Sequence, residues 1–235
     1  MAFFTFSPIG IIHSPFKQKF GIPRQPVLAS AARATLELLP PYNREAYGRG
    51  LEDFSHLWIQ FVFHQSIIES PKPLVRPPRL GGKEKRGVFA TRSGFRPNPI
   101  GLSLVELEWV ESSETQLLLH LRSIDMLDQT PVLDIKPYIP YCDRPENSRA
   151  EFAALAPEKV FEVIYSELAL DKICRFEAQG MVDLKQLIEQ ILQTDPRAGH
   201  YQDFHKREYG ILLFDFDLRW EIVEDQIRVL DLSSV

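Results

Sequence analysis

Apolar and polar residues alternate with the two-residue period of a half-buried strand over about 6–12, 33–38, 55–64, 87–91, 102–110, 116–123 and 131–136. In "GLEDFSHLWIQFVFHQ", Leu57, Ile59, Phe61 and Phe63 fall on one face, and His56, Trp58, Gln60, Val62 and His64 on the other. Pro, Gly, Asn and Asp punctuate the gaps and no long helical pattern intervenes, so these seven strands predict a closed or nearly closed barrel. The segment "DRPENSRA" (143–150) is polar and reads as a linker. Beyond it, 160–166 reads as a strand. Met181, Leu184, Leu187, Ile188, Ile191 and Leu192 recur at helical spacing up to a stop at Pro196, and 210–232 alternates through two strands about a Glu224-Asp225 turn. The expected fold is mainly β, with a small N-terminal β-barrel of about seven strands over 1–143 and a small C-terminal α+β domain over 150–235.

Two connections, 13–30 and 65–86, are long for simple hairpins, and long loops on a rigid barrel are where function usually sits. The second leads into "GVFATRSGFRPNPIGLS", a loop stiffened by Pro97 and Pro99 that carries Arg92 and Arg96 between apolar strands. Charge sharpens this picture. The whole chain is at −5, yet residues 72–96 hold eight Lys or Arg against Glu84 alone. A basic segment on an otherwise acidic chain points to an anionic partner met at one place, the alternative being a solvated loop. Residues 145–235 are acidic, with ten Lys or Arg against eighteen Asp or Glu, and do not read as a phosphate-binding surface.

Composition adds limits. With 44% hydrophobic and 25% charged residues, the chain reads as an ordinary soluble globular protein. Cys142 and Cys174 stand far apart, which argues for a reducing compartment and against a zinc or disulfide framework. The apolar N-terminus has no basic leader before Lys17 and is interrupted by Pro8, so it reads as a first strand, and no apolar run is long enough for a bilayer. A cytoplasmic protein without membrane or metal is expected. "GRG" at 48–50 follows no strong strand and is no dinucleotide fingerprint, and Walker, HExxH, GxSxG and kinase motifs are absent.

Three constellations carry candidate chemistry. His56 and His64 are eight steps apart on one strand, about 26 Å at ~3.3 Å per residue, so they cannot share a metal; His64 and Gln65 at the strand end form a polar pair able to read a ligand's edge. Pro23 and Pro26 restrict Arg24 and Gln25, although inert loops contain such segments too. In "SIDMLDQTPVLDIKPYIP", Asp125, Asp128 and Asp134 lie near a turn and suit a cationic centre or sugar hydroxyls, or Asp128 simply caps its own turn.

The set "PRQP", "FSHLWIQFVFHQ", "RPPRLGG", "GVFATRSGFRPNPIGLSLVEL" and "LDQTPVLDIKPYIP", spread over about 9–140, resembles the TsaA-like (TrmO) family, and the acidic C-terminal part is similar to the extension of its bacterial branch. The resemblance implies a non-Rossmann β-barrel that binds S-adenosylmethionine. It also implies a homodimer and methyl transfer to N6 of threonylcarbamoyl-adenosine beside the anticodon (position 37) of a threonine tRNA. By position, the cofactor residues it implies are Pro23, Arg24, Gln25, His64, Gln65, Arg92, Leu102 and the turn Leu127, Asp128, Gln129 and Thr130. Gln129 departs from the family's glycine, so a positive φ there would be strained. Given that ligand, Arg92 is expected to face the cofactor, Arg76, Arg79, Lys83, Lys85 and Arg86 the tRNA backbone, and Arg96, also a tRNA-binding candidate, or a loop Lys the threonyl carboxylate. Asp125, Asp128, His64 and Tyr138 are candidates to accept the N6 proton. Phe89, Phe95 and Tyr42 are candidates to stack on the base, with Phe89 read from alternation as more core than surface. The rival reading is a non-enzymatic RNA-binding barrel.

Overall fold

A computed structural model describes residues 4–82, 84–197 and 207–235. Barrel strands β1 (Gly10–His13), β2 (Arg33–Leu38) and β3 (His56–Val62) are followed by a two-residue ribbon of β4 (Leu74–Val75) and β5 (Arg86–Gly87), then by β6 (Ile100–Ser112), β7 (Leu117–Arg122) and β8 (Thr130–Pro137). The barrel closes in the order β1-β2-β7-β6-β3-β8, antiparallel at every seam. It has six strands where seven were expected. The segment 87–91 supplies only Val88 to the interior, after which the Thr91 N–H bonds back to the Val88 carbonyl and turns the chain. An alternation five residues long is too short to hold a ladder place against such a turn.

Inward positions on the strands are fully buried: Ile12, Leu36, Leu57, Ile59, Val105, Leu119 and Leu121 expose no measurable surface. A barrel this small is filled by its own side chains. Gly101 makes that packing possible at one end. A Cβ there would meet Phe61 Cζ at 2.2 Å, so only glycine lets the Phe61 ring lie across β6.

The alternating strand directions decide where the connections go. β1, β3 and β7 run toward one end and β2, β6 and β8 away from it, so the connections 14–32, 63–99 and 123–129 all open at that mouth. The connections 39–55 and 113–116 lie at the opposite end. The six-strand closure therefore gathers two long connections, 14–32 and 63–99, and the shorter 123–129 around one rim.

The C-terminal region contains β9 (Glu162–Tyr165), the outer strand of a four-stranded sheet, and two helices against that sheet. The short helices α1 (Glu45–Gly48) and α2 (Pro140–Asp143) precede α3 (Glu167–Ala178) and α4 (Leu184–Gln193). Three hairpin strands, β10 (Tyr209–Leu213), β11 (Phe216–Val223) and β12 (Gln226–Ser234), replace the two expected. The extra break is at Phe214, whose φ of 52° makes a tight turn and whose N–H bonds Pro15 of the barrel. α3, unforeseen, starts where the Ser166 hydroxyl accepts the Ala169 N–H. One contiguous apolar core includes Ile12, Leu57 and Leu119 of the barrel and Ile188, Leu213 and Trp220 beyond it. Among the described residues no helix is long and apolar enough to cross a membrane.

Candidate functional site

The mouth is organised by contacts between its three connections. From 63–99, Arg92 donates to the Gln25 side-chain oxygen in 14–32. From 123–129, Asp125 leans over the barrel end, where inward-facing Ser103 donates to it at 2.6 Å. Burial pushes the Asp125 carboxyl up to about 6, against the opposing pull of the Ser103 hydroxyl and the Arg92 charge. Lys19 donates to the Gln65 carbonyl and sits 5.8 Å from the centre of the Phe95 ring. Gln25, Gln65, Phe95, Arg92 and Asp125, distant in sequence, thus share one rim.

The proline-stiffened stretch holds its own shape. Arg96 turns back on its loop and donates to the carbonyls of Thr91 (3.2 Å) and Ser93 (3.4 Å), while the Phe63 N–H bonds the Pro99 carbonyl at 2.7 Å. A rigid loop loses less entropy when a ligand docks. Leu102 points outward and is half exposed, beside Gln60 across the β3–β6 seam.

The remaining predicted cofactor positions divide. His64 and Gln65 form a turn at the end of β3, with the Gln65 side chain exposed. Pro23 is half-buried; Arg24 reaches outward, and its guanidinium is lowered by partial burial, with Asp195 opposing and Arg79 reinforcing the shift. Leu127 and Thr130 are buried beneath their turn. Asp128 serves as a clamp: its carboxylate takes the Ser14 N–H at 2.9 Å and the Lys17 ammonium at 2.8 Å. Partial burial pushes Asp128 up, but Lys17 and the Ser14 N–H outweigh it and hold the group below the ordinary carboxylate value. Gln129 does adopt a positive φ, 61°, and its side-chain nitrogen lies 3.2 Å from His13 Nδ1. Asp128 and Gln129 also line a groove on the outer barrel wall with His13, Arg33, Trp109 and His120, which Gln25, Arg92 and Asp125 do not line.

The basic segment divides as well. Arg76 and Lys85 are exposed and hold no ion pair among the described residues. Arg79 donates to the Leu155 carbonyl, and Arg86 is paired with Glu84 (2.9 Å) and Glu151 (3.1 Å). Lys83 lies outside the described residues.

Three expectations are corrected. Phe89 is 78% exposed, because Val88 takes the inward place instead. Tyr138 lies past β8 beside His56 and Trp58, and Tyr42 follows β2 and packs on Tyr47; both are at the end away from the mouth. Neither tyrosine reaches the Arg92 rim. Sequence reasoning also missed Ser103, Lys17 and Lys19. A serine at an inward strand position and two lysines just before Pro23 were the signals available.

The fold is a β-barrel whose candidate site is a rim of loops, outside the doubly wound nucleotide-binding class. The tRNA-methyltransferase O N-terminal domain matches residues 11–144, and the TrmO C-terminal domain matches residues 158–235. The chain belongs to the tRNA-methyltransferase O family. It is 43% identical to the tRNA (adenine(37)-N6)-methyltransferase of Escherichia coli K12 over 234 residues, 99% of each chain. It is 47% identical to a putative S-adenosylmethionine-dependent methyltransferase, RcsF, of Pseudomonas aeruginosa PAO1 over 229 residues, 97% of each. The crystal structure of TrmO from Pseudomonas aeruginosa superposes with a TM-score of 0.81 at 41% identity, covering 99% of both chains.

Proposed function

We propose that the protein is an S-adenosylmethionine-dependent tRNA (adenine-N6)-methyltransferase acting at position 37, with threonylcarbamoyl-adenosine of a threonine tRNA as its substrate. The meeting of Gln25, Arg92 and Asp125 at one mouth carries this reading, and relatives named tRNA (adenine(37)-N6)-methyltransferase support methylation of adenine N6 at position 37. The cofactor, when bound, supplies an activated methyl group on sulfur, open to in-line attack. The rim fits such a ligand: the Arg92 fork suits its carboxylate, Gln25 and Ser103 offer neutral polar contacts, and Asp125 is an anion facing a cationic ligand. On this reading, residues 1–143 form the cofactor-binding domain.

The work left to the chain is positioning and one proton. N6 of the substrate carries a carbonyl, which makes its N–H more acidic than that of plain adenine. Asp125, at about 6, is ionised at neutral pH yet basic enough to accept that proton as the new bond forms. Asp128 is a poorer base because Lys17 already neutralises it. Exposed Arg76 and Lys85 meet tRNA phosphates, and exposed Phe89 and Phe95 stack on splayed anticodon-loop bases. Exposed Ile67, Leu74, Ile100 and Leu102 near the same rim support a homodimer that covers part of it. A cytoplasmic location goes with this reading. Calorimetry with S-adenosylmethionine alone tests the reading: micromolar binding is expected, and absence of heat would leave only the RNA-binding barrel.

A further inference from the structure

We infer that the C-terminal region holds the cofactor loop in place, and that Gln190 is a positioning residue for the Pro23-Arg24-Gln25 segment; this rests on the cofactor reading above. The connection 14–32 is long, and across the mouth it is tied to 63–99 through Gln25 to Arg92 and Lys19 to the Gln65 carbonyl. Much of what fixes its two ends comes from beyond the barrel. At the start, Phe16 bridges to Leu213, and the Phe214 N–H bonds the Pro15 carbonyl at 2.7 Å. Gly21, at φ +88°, lies against Ile211 so closely that a Cβ would come within 2.9 Å of its Cγ2.

The far end is held by one side chain of α4. Gln190 Oε1 accepts the Ala31 N–H at 2.9 Å, and its Nε2 donates to the Ser30 hydroxyl at 2.9 Å. Ser30 is also gripped by β7, whose Arg122 donates to the Ser30 carbonyl at 2.7 Å. Between this point and Gln25 there is only the turn Pro26–Ala29, with Pro26 and Ala29 buried and the Leu28 N–H bonded to the Gln25 carbonyl. That turn is short and rigid, so movement at Ser30 and Ala31 is passed to Gln25 and Arg24. Ala31 is itself buried, and without Gln190 its N–H is left unpartnered or the chain moves to find water. Either outcome frees the loop tip, which must then be ordered when the cofactor binds.

The two hydrogen bonds allow a test that separates positioning from general stability. Gln190→Leu keeps the size and removes both bonds. Gln190→Glu keeps both: one oxygen still accepts the Ala31 N–H, and the other accepts the Ser30 O–H, which reverses from acceptor to donor. S-adenosylmethionine affinity is measured calorimetrically on the full-length chain, below the melting midpoint of each variant. Gln190→Leu is expected to weaken binding about tenfold, raising KM for the cofactor with kcat at saturation unchanged, and Gln190→Glu to stay within about twofold of the wild type. Should Gln190→Leu fail to fold, Ser30→Ala, which removes one of the two bonds, is expected to weaken binding about threefold. Unaltered affinity in whichever of these two variants folds overturns the inference while the cofactor reading stands. A wild-type protein that binds no S-adenosylmethionine overturns that reading instead.

Discussion

Replacing Asp125 with asparagine should remove activity and stabilise the protein together. The carboxyl sits at about 6 instead of its ordinary 3.8 because burial disfavours its charge. A group whose folded value is raised loses stability as pH climbs: below 3.8 both folded and unfolded forms are protonated, and between 3.8 and about 6 the unfolded chain sheds a proton that the fold retains. Above about 6 the folded state carries an ionised carboxylate at a cost of up to about 3 kcal/mol. Partial exposure at the mouth reduces this to about 1–2 kcal/mol. Asparagine removes that charge and still accepts the Ser103 hydroxyl. For a chain of this size the melting midpoint should rise by about 2–6 °C at pH 8, and the gain should fade toward pH 4. Methyl transfer under single-turnover conditions should fall by about 10²–10⁴, and the wild-type kcat/KM should rise through pH 6 and then level. A variant that melts lower at pH 8 and retains activity would refute the assignment of Asp125 as proton acceptor.

Three further outcomes follow from the geometry. Arg76→Glu with Lys85→Glu should weaken tRNA binding and flatten its salt dependence by about 1–2 in log–log slope, with Arg86→Glu, already paired with Glu84 and Glu151, doing less in the same filter-binding assay. Gly101→Ala forces a Cβ into the Phe61 ring and should cost about 1–3 kcal/mol in urea unfolding, partly recovered by adding Phe61→Leu. Gln129→Gly relieves a left-handed backbone and should raise stability by about 0.5–1 kcal/mol, less what its contact with His13 contributes.

Six barrel strands could be read from alternation alone, and β2, β3, β6 and β7 each bury three side chains on a single face. The segment 87–91 misled for the same physical reason: with Val88 as its one buried residue, the pattern had no register to defend. The break at Phe214 was invisible because "LLFDFDL" keeps alternating straight through a two-residue turn. α3 gave a weak signal, since Leu168 and Leu170 are exposed and Ala169 and Ile173 carry its buried face. At the site, residue types could be read but directions could not. Asp125 and Asp128 look alike in the sequence; Lys17, 111 positions away, neutralises one, and burial near Arg92 raises the other. Arg86 and Arg96 look like free cations until their partners, Glu151 and the loop's own carbonyls, are seen.

The most direct test is mass spectrometry of nucleosides from unmethylated threonine tRNA incubated with the protein and S-adenosylmethionine labelled at its methyl group. The label should appear on N6 of the threonylcarbamoyl-adenosine at position 37, and should be lost when Arg92 or Asp125 is replaced. Label on another nucleoside, or none with a folded and cofactor-bound wild type, would contradict the account.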